Sequence, residues 1–170
     1  MDIRSIQKPL KERYRSDPQA SRITLCAEGG QAGAPVACSV DLGRAVYEAQ
    51  AHAGVGGPGT GACSGDLLLG ALAACAQITC QMVAAAMGIT ARSIRARVEG
   101  ELDLAGTLGI SKDVPVGFQK IGIRIEVDAP QASPEQLRAL AEKTEQYCVV
   151  MRTLTRPPTI EVEWGPAVLT

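Results

Sequence analysis

Ser64-Gly65-Asp66-Leu67-Leu68-Leu69-Gly70-Ala71-Leu72-Ala73-Ala74-Cys75-Ala76-Gln77-Ile78-Thr79-Cys80, continuing to Met87-Gly88, is the stretch on which the fold turns. Ser64 suits a helix N-cap, Asp66 in the first turn complements the helix dipole, and Gly88 supplies a C-terminal stop. The expectation is one helix over Ser64–Met87. Its surface is apolar nearly all round, which places it at the centre of the molecule. No charged residue lies between Asp66 and Arg92, and a stretch of that length could also cross a bilayer. The run is rich in Ala, however, and carries Gln77, Thr79, Gln81 and two cysteines, with neither aromatic belts nor basic flanks. A buried helix of a soluble domain is expected.

Upstream, Gly54-Val55-Gly56-Gly57-Pro58-Gly59-Thr60-Gly61 contains a literal G-x-G-x-x-G. The context fails for a dinucleotide site. Pro58 interrupts the run, more loop precedes any helix, and no acidic residue follows at the ribose distance. Further back, Ile23–Ala27 and Val36–Leu42 read as the strands of a hairpin. Glu28-Gly29-Gly30-Gln31-Ala32-Gly33-Ala34-Pro35 forms its turn, and Ala45–Ala49 is a third strand. Residues 1–16 read as an amphipathic arm, with Ile3, Ile6 and Leu10 at helical spacing; the arm is bounded at residues 1–20 and one domain at 21–170.

Downstream, Ser93–Leu102 reads as a strand and Ala105–Val116 as a loop. Lys120–Val127 alternates, with Ile121, Ile123, Ile125 and Val127 on one face. Ser133-Pro134-Glu135-Gln136 is a capping box with Pro at the first helical position, opening a helix to Tyr147. A further turn covers Val149–Leu154. Pro157-Pro158 breaks the chain, and Thr159–Trp164 reads as a last strand. The whole is a single α+β domain.

The chain has 170 residues, 46% of them hydrophobic, which suits one domain with a sizeable core. A formal net charge of −1 and an aromatic content of 3% argue against nucleic acid and anionic membrane as partners. Met1-Asp2-Ile3-Arg4 opens no apolar signal region, so a cytoplasmic location is expected, where structural disulfides are uncommon.

Six cysteines then need another explanation: Cys26, Cys38, Cys63, Cys75, Cys80 and Cys148. No C-x-x-C pair occurs and the single histidine is His52, so neither a metal nor another cofactor is expected. Cys26 and Cys38 read as small buried residues on the first hairpin, and Cys63 stands at the loop-to-helix junction. Cys75 and Cys80 are turned about 140° apart on one helix and cannot bridge each other. By position alone, mid-helix Cys75 reads as core, and Cys148 near a helix end reads as the more exposed.

The Ser64–Cys75 stretch, with Gln77-Ile78-Thr79 and Met87-Gly88-Ile89, resembles the signature helix of the OsmC/Ohr family: D/E-L-L-x-A-L-x-A-C, then a run ending in G-I/W. Val98-Glu99-Gly100, Gly117-Phe118-Gln119-Lys120-Ile121 and Glu145-Gln146-Tyr147-Cys148-Val149-Val150 continue the resemblance, which covers about residues 36–164. It implies an OsmC-like fold, with two central helices packed on antiparallel β-sheets in an intertwined homodimer. It further implies a thiol peroxidase. Cys75 would reduce an organic hydroperoxide and become a sulfenic acid, Cys148 would condense with it, and a dithiol such as dihydrolipoamide would regenerate the pair.

Three positions depart from the family pattern of the peroxidase branch. Its arginine after Gly-Gly in the first hairpin is Gln31 here, and its glutamate ten residues before the first cysteine is Gly65, with Asp66 one later. The proline after the second cysteine is Val149. Asp66 is the candidate replacement carboxylate and Gln31 a candidate supporting residue; Arg22, Arg44 and Arg124 are possible sources of positive charge. Without the family's activating pair, a buried Cys75 is expected to keep an ordinary or raised pKa. The alternative functions are an OsmC-like protein that binds a small apolar ligand, or a redox sensor, without peroxidase turnover.

Overall fold

The computed structural model describes residues 3–24, 28–31, 37–42 and 45–165. Helix α1 (Ile3–Ser16) is followed by a 3-10 turn over Pro18–Ser21 and by strands β1 (Glu28–Gln31), β2 (Ala37–Asp41) and β3 (Val46–Gln50). Then come α2 (Ser64–Met87), β4 (Ser93–Leu102), α3 (Leu104–Thr107), β5 (Phe118–Asp128), α4 (Pro134–Tyr147) and α5 (Val149–Thr155).

Helix α2 occupies the residues its pattern demanded, but Cys63 and not Ser64 stands at the N-cap. Asp66 explains the difference. Its Oδ2 accepts the Cys63 backbone N–H at 2.8 Å, the half of a capping box that a residue three positions back must supply. Gly88 closes the helix in the left-handed conformation, φ 71°, as a glycine C-cap does.

Burial of α2 corrects the sequence expectation. Only the stripe Leu72, Ala76, Cys80 and Ala84 is buried, whereas Ile78 is 52% and Met82 40% exposed. The reason is geometric: β4, β5, α4 and α5 cover one side of the helix, and the chain supplies less to the other, where α1 packs. The helix remains long and apolar enough to cross a membrane by length and composition.

Strands β4 and β5 pair antiparallel from Ser93↔Asp128 onward, with an irregularity at Glu101/Leu102. Their alternation separates two faces. Ile94, Ala96, Val98, Ile121, Ile123, Ile125 and Val127 pack toward α2 and α4. The other face carries exposed ion pairs, Lys120–Glu101 at 3.1 Å and Arg124–Glu126 at 3.0 Å among them, each contributing little to stability. Core packing falls into two clusters along α2. One joins Cys80 and Ala84 to Ile89, Ala129 and Leu140; the other joins Leu72 and Ala76 to Cys148.

Helix α4 starts as its capping box requires. Ser133 Oγ accepts the Gln136 N–H at 3.2 Å, and Gln136 Oε1 accepts the Ser133 N–H at 2.9 Å. Thr144 is buried, and its hydroxyl donates to the Leu140 carbonyl at 2.7 Å, so no polar atom is orphaned there.

The N-terminal expectations need adjustment. The proposed arm is helical, with Leu10 exposed; the side chains of Ile3 and Ile6 lie outside the described residues. The first hairpin is shifted, because Glu28–Gln31, read as turn, forms β1 and pairs with β2 from Glu28↔Asp41 to Gln31↔Cys38. Glycine accepts extended backbone as readily as a turn, so Gly29-Gly30 did not discriminate between them. The expected strand residues 25–27 lie outside the described residues. Sheet β1-β2-β3 is ordered as expected, and among the described residues it packs extensively on none of the helices.

Two further corrections concern the second half. The loop after β4 contains the short α3, capped by Asp103. Thr159–Trp164 forms no strand, and Trp164 is 94% exposed. Its alternating pattern suits a ladder, yet among the described residues no neighbouring strand pairs with it.

Candidate active site

Two cysteines 73 positions apart in sequence meet where α2 passes the junction of α4 and α5. Cys75 lies midway along α2, one residue before buried Ala76. Cys148 is at once the C-cap of α4 and the N-cap of α5. Its N–H donates to the Thr144 carbonyl at 2.9 Å, and its own carbonyl accepts the Arg152 N–H at 2.9 Å, so the thiol is held on a stiff turn between two helices.

Exposure is the reverse of the sequence expectation. Cys148 is fully buried beneath Leu72 and Ala76, whereas Cys75 is half-buried. A helix end is exposed only if nothing packs over it, and here α2 does.

The surroundings of the Cys75 sulfur are donor-rich. Sγ accepts the Val150 N–H at 3.5 Å and lies 4.0 Å from Thr79 Oγ1, one helical turn on. Burial pushes the Cys75 thiol up. The Val150 N–H, the Cys148 thiol, the Thr79 hydroxyl and the Val149 N–H together outweigh it, so the pKa lies below the ordinary thiol value. This overturns the expectation of an ordinary or raised value. Hydrogen bonds to the anion replace a charged partner, and among the described residues no cation contributes. Cys148 moves the other way: burial raises it, and the neighbouring Cys75 sulfur raises it further, against the donors Met151 N–H and Val150 N–H. Two neighbouring thiols whose pKa values are moved apart form the arrangement in which the first sulfur ionises the more readily and the second keeps its proton.

The supporting residues stand elsewhere. Asp66 lies about 14 Å up the helix from Cys75, using the α-helical rise. It is held low chiefly by the Cys63 backbone N–H. It shares a cavity of about 430 Å³ with His52 and Cys63, and within the chain it does not touch Cys75. His52 is itself occupied, its Nδ1 accepting the Gly54 N–H at 3.0 Å. Gln31 contributes its backbone to β1, but its side chain lies outside the described residues, as do Arg44, Cys26 and the side chain of Cys38. Arg124 pairs with Glu126 on the exposed sheet face, and Arg22 is exposed beyond the 3-10 turn.

Cys80 belongs to the other core cluster, about 140° around α2 from Cys75. Burial pushes its pKa up, opposed by Thr144. The four described cysteines, Cys63, Cys75, Cys80 and Cys148, are all free thiols. Among the described residues no group of three or more His, Cys, Asp or Glu is placed to hold a metal.

Sequence reading missed Thr79 and the amides of Val149 and Val150 as partners of Cys75. Thr79 carried a usable signal, four residues on from Cys75 and therefore over the same helix face. The amides carried none, since any residue type supplies them.

Comparison with known proteins agrees with this architecture. Residues 57–163 match the family model described as OsmC-like protein. An OsmC-like protein from Mycoplasma pneumoniae superposes with a TM-score of 0.66 at 18% identity, covering 79% of this chain and 89% of the other. An organic hydroperoxide resistance protein OsmC from Legionella pneumophila gives 0.58 at 16% identity, covering 80% and 92%. One from Elizabethkingia anophelis, with thiocyanate bound, gives 0.56 at 20% identity, covering 81% and 91%. No curated protein matches the chain. At these identities the structural likeness speaks to fold, while the family model spans well over half the sequence, including both cysteines and the helices that bring them together: the chain belongs to the OsmC family.

Proposed function

We propose that the protein is a thiol peroxidase that reduces organic hydroperoxides through Cys75 and Cys148. The observation that carries this reading is that Cys75 packs against the buried cluster of Leu72, Ala76 and Cys148, with the Val150 N–H at its sulfur and its pKa lowered. The Cys75 thiolate attacks the distal oxygen of the hydroperoxide. The O–O bond breaks, the alkoxide takes up a proton and leaves as the alcohol, and Cys75 becomes a sulfenic acid. The Cys148 sulfur then attacks the Cys75 sulfur, the S–O bond breaks, and the hydroxyl leaves as water with the Cys148 proton. A dithiol such as dihydrolipoamide exchanges with the disulfide and restores both thiols. Family kinship and the hydroperoxide-resistance relatives support this chemistry.

The reading includes a cytoplasmic homodimer. The homodimer is supported by the uncovered apolar side of α2, where Ile78 and Met82 are exposed.

The test is turnover of cumene hydroperoxide by the purified protein with dihydrolipoamide. Cys75→Ser is expected to be inactive. Cys148→Ser is expected to react once and stop, leaving a sulfenic acid that dimedone traps. Absence of turnover, with Cys75→Ser indistinguishable from the parent, refutes the proposal.

A second reading, redox sensing or apolar-ligand binding without turnover, is favoured by one observation: no cation reaches Cys75 among the described residues. It predicts slow disulfide formation with no catalytic cycle.

A further inference from the structure

The Thr79 hydroxyl is used differently from those of Thr144 and Thr155. Thr144 and Thr155 donate back to main-chain carbonyls four residues earlier, Leu140 at 2.7 Å and Met151 at 2.9 Å, a common use of a threonine hydroxyl within a helix. Thr79 also reaches four residues back, but to a side chain. Among the described residues its one hydrogen-bond partner is Cys75 Sγ, 4.0 Å away. The Val150 N–H meets the same sulfur at 3.5 Å. Cys75 Sγ therefore sits between a side-chain donor of its own helix and a main-chain donor of α5.

The direction of the Thr79 contact depends on the state of the sulfur. A thiol can donate to the hydroxyl or accept from it, whereas a thiolate can only accept. Ionisation thus commits the Thr79 O–H to donating, and the contact favours the charged form. The β-branched side chain is stiff at χ1, which fixes the hydroxyl in place. Lys11 of α1, with Lys143 and Tyr147 of α4, lines a cavity together with Thr79, and Cys148 stands where α4 meets α5; of these, Cys148 alone acts on Cys75. Strands β4 and β5 turn apolar side chains, Ala96, Val98, Ile121 and Ile123, to the cluster. Thr79 acts on one cysteine of the pair. Cys148 responds to burial, to Cys75 and to the Met151 and Val150 N–H groups, and Thr79 plays no part there.

We infer that Thr79 is a third residue of the reaction, its hydroxyl donating to the Cys75 thiolate and holding that sulfur in the orientation that attacks the hydroperoxide, and that it serves the first half of the cycle only. The inference rests on the peroxidase reading. The hydroxyl keeps its own proton throughout, and no atom passes to or from it. Once oxygen transfer has made Cys75 a sulfenic acid, the negative charge is gone, and the advantage of the donor goes with it. Attack by the Cys148 sulfur then proceeds without help from Thr79.

The test compares the full-length parent with Thr79→Val, which keeps the shape and removes the hydroxyl, and Thr79→Ser, which keeps the hydroxyl. Alkylation of Cys75 by iodoacetamide is followed across pH by peptide mass. Sulfenic acid formation with cumene hydroperoxide is followed by dimedone trapping in a Cys148→Ser background. Disulfide closure is followed in the Cys148 protein under excess hydroperoxide. Thr79→Val is expected to move the alkylation midpoint to higher pH. It should slow alkylation below that midpoint, and sulfenic acid formation, each about fivefold, the factor one modest hydrogen bond contributes. Closure should keep the parent rate, and Thr79→Ser should stay close to the parent throughout. If the valine variant does not fold, Thr79→Ala reads the same midpoint.

An unmoved alkylation midpoint in Thr79→Val overturns the inference. So does a Thr79→Ser as slow as Thr79→Val, which would make the effect one of shape, or a closure step slowed as much as the first. A parent that forms no sulfenic acid, while Thr79→Val still moves the midpoint, removes the peroxidase reading and upholds the hold of Thr79 on the thiolate. Sulfenic acid formation that is indifferent to Thr79→Val does the reverse.

Discussion

Oxidation of the Cys75–Cys148 pair has a consequence for stability that follows from where the two residues sit. They are 73 positions apart in sequence, so a bond between them closes a loop containing β4, α3, β5 and α4. Chain-entropy arithmetic for a loop of that length gives about 4.4 kcal/mol of destabilisation of the unfolded ensemble at 25 °C. For a chain of this size each kcal/mol moves Tm by about 2–4 °C, so the expected rise is about 9–18 °C. The two residues already share one packing cluster in the reduced protein, which keeps the distortion needed to join them small. The perturbation is one equivalent of cumene hydroperoxide added to fully reduced protein with no dithiol present. The assay is thermal unfolding by circular dichroism, with intact mass before and after. The parent should lose two hydrogen atoms in mass and gain stability, whereas Cys75→Ser and Cys148→Ser should do neither. A Tm rise below roughly 3 °C with the disulfide formed would refute the claim that the pair is preorganised. A bridge mapped instead to Cys63 or Cys80 would refute the assignment of the partners.

Two further outcomes follow from the same site. Because the Cys75 pKa lies below the ordinary thiol value, its alkylation by iodoacetamide should have a midpoint on the acidic side of a free cysteine's, and Cys148→Ala should shift it upward by removing a donor to the thiolate. The linked stability runs with the sign of each shift. The Cys75 contribution is complete above the ordinary thiol pKa and is lost as pH falls through the lower folded value, while Cys148, raised by burial, costs stability as pH climbs past the ordinary value. A Cys75 midpoint at or above that of free cysteine contradicts the donor argument. Leu72→Ala, at a fully buried position in the same cluster as Cys148, should cost about 2–5 kcal/mol by chemical denaturation. A loss below about 1 kcal/mol would mean that the cluster collapses freely around the vacancy.

Much of this architecture can be read locally. The α2 limits follow from an uninterrupted apolar run closed by Gly88. The α4 start follows from Ser133, Pro134 and Gln136, and the β5 faces follow from Ile121, Ile123, Ile125 and Val127. Each signal lies within a few residues of the element it defines. The failures share the opposite property. Cys63 took the N-cap because Asp66 reached back to it. Thr159–Trp164 has a strand's alternation without a neighbour to pair with. Cys148 is buried and Cys75 half-exposed because of what α2 covers, which no window around either cysteine contains. The Cys75–Cys148 pairing came from family resemblance, since geometry within the sequence left both residues without assigned partners. The lowered Cys75 pKa was only partly legible for a related reason: the largest of the causes that lower it is the Val150 amide, and amides have no sequence signature.

The placement of Cys148 between two helices bears on how a disulfide with Cys75 would be reached. Its N–H terminates one hydrogen-bonded ladder and its carbonyl begins the next, with extended backbone, φ −70° and ψ 105°, at the residue itself. Rotation about the Cys148 Cα–Cβ bond re-aims the thiol without moving either α4 or α5. A side-chain rotation on a backbone tied at both ends lets the disulfide form with the helical frame intact.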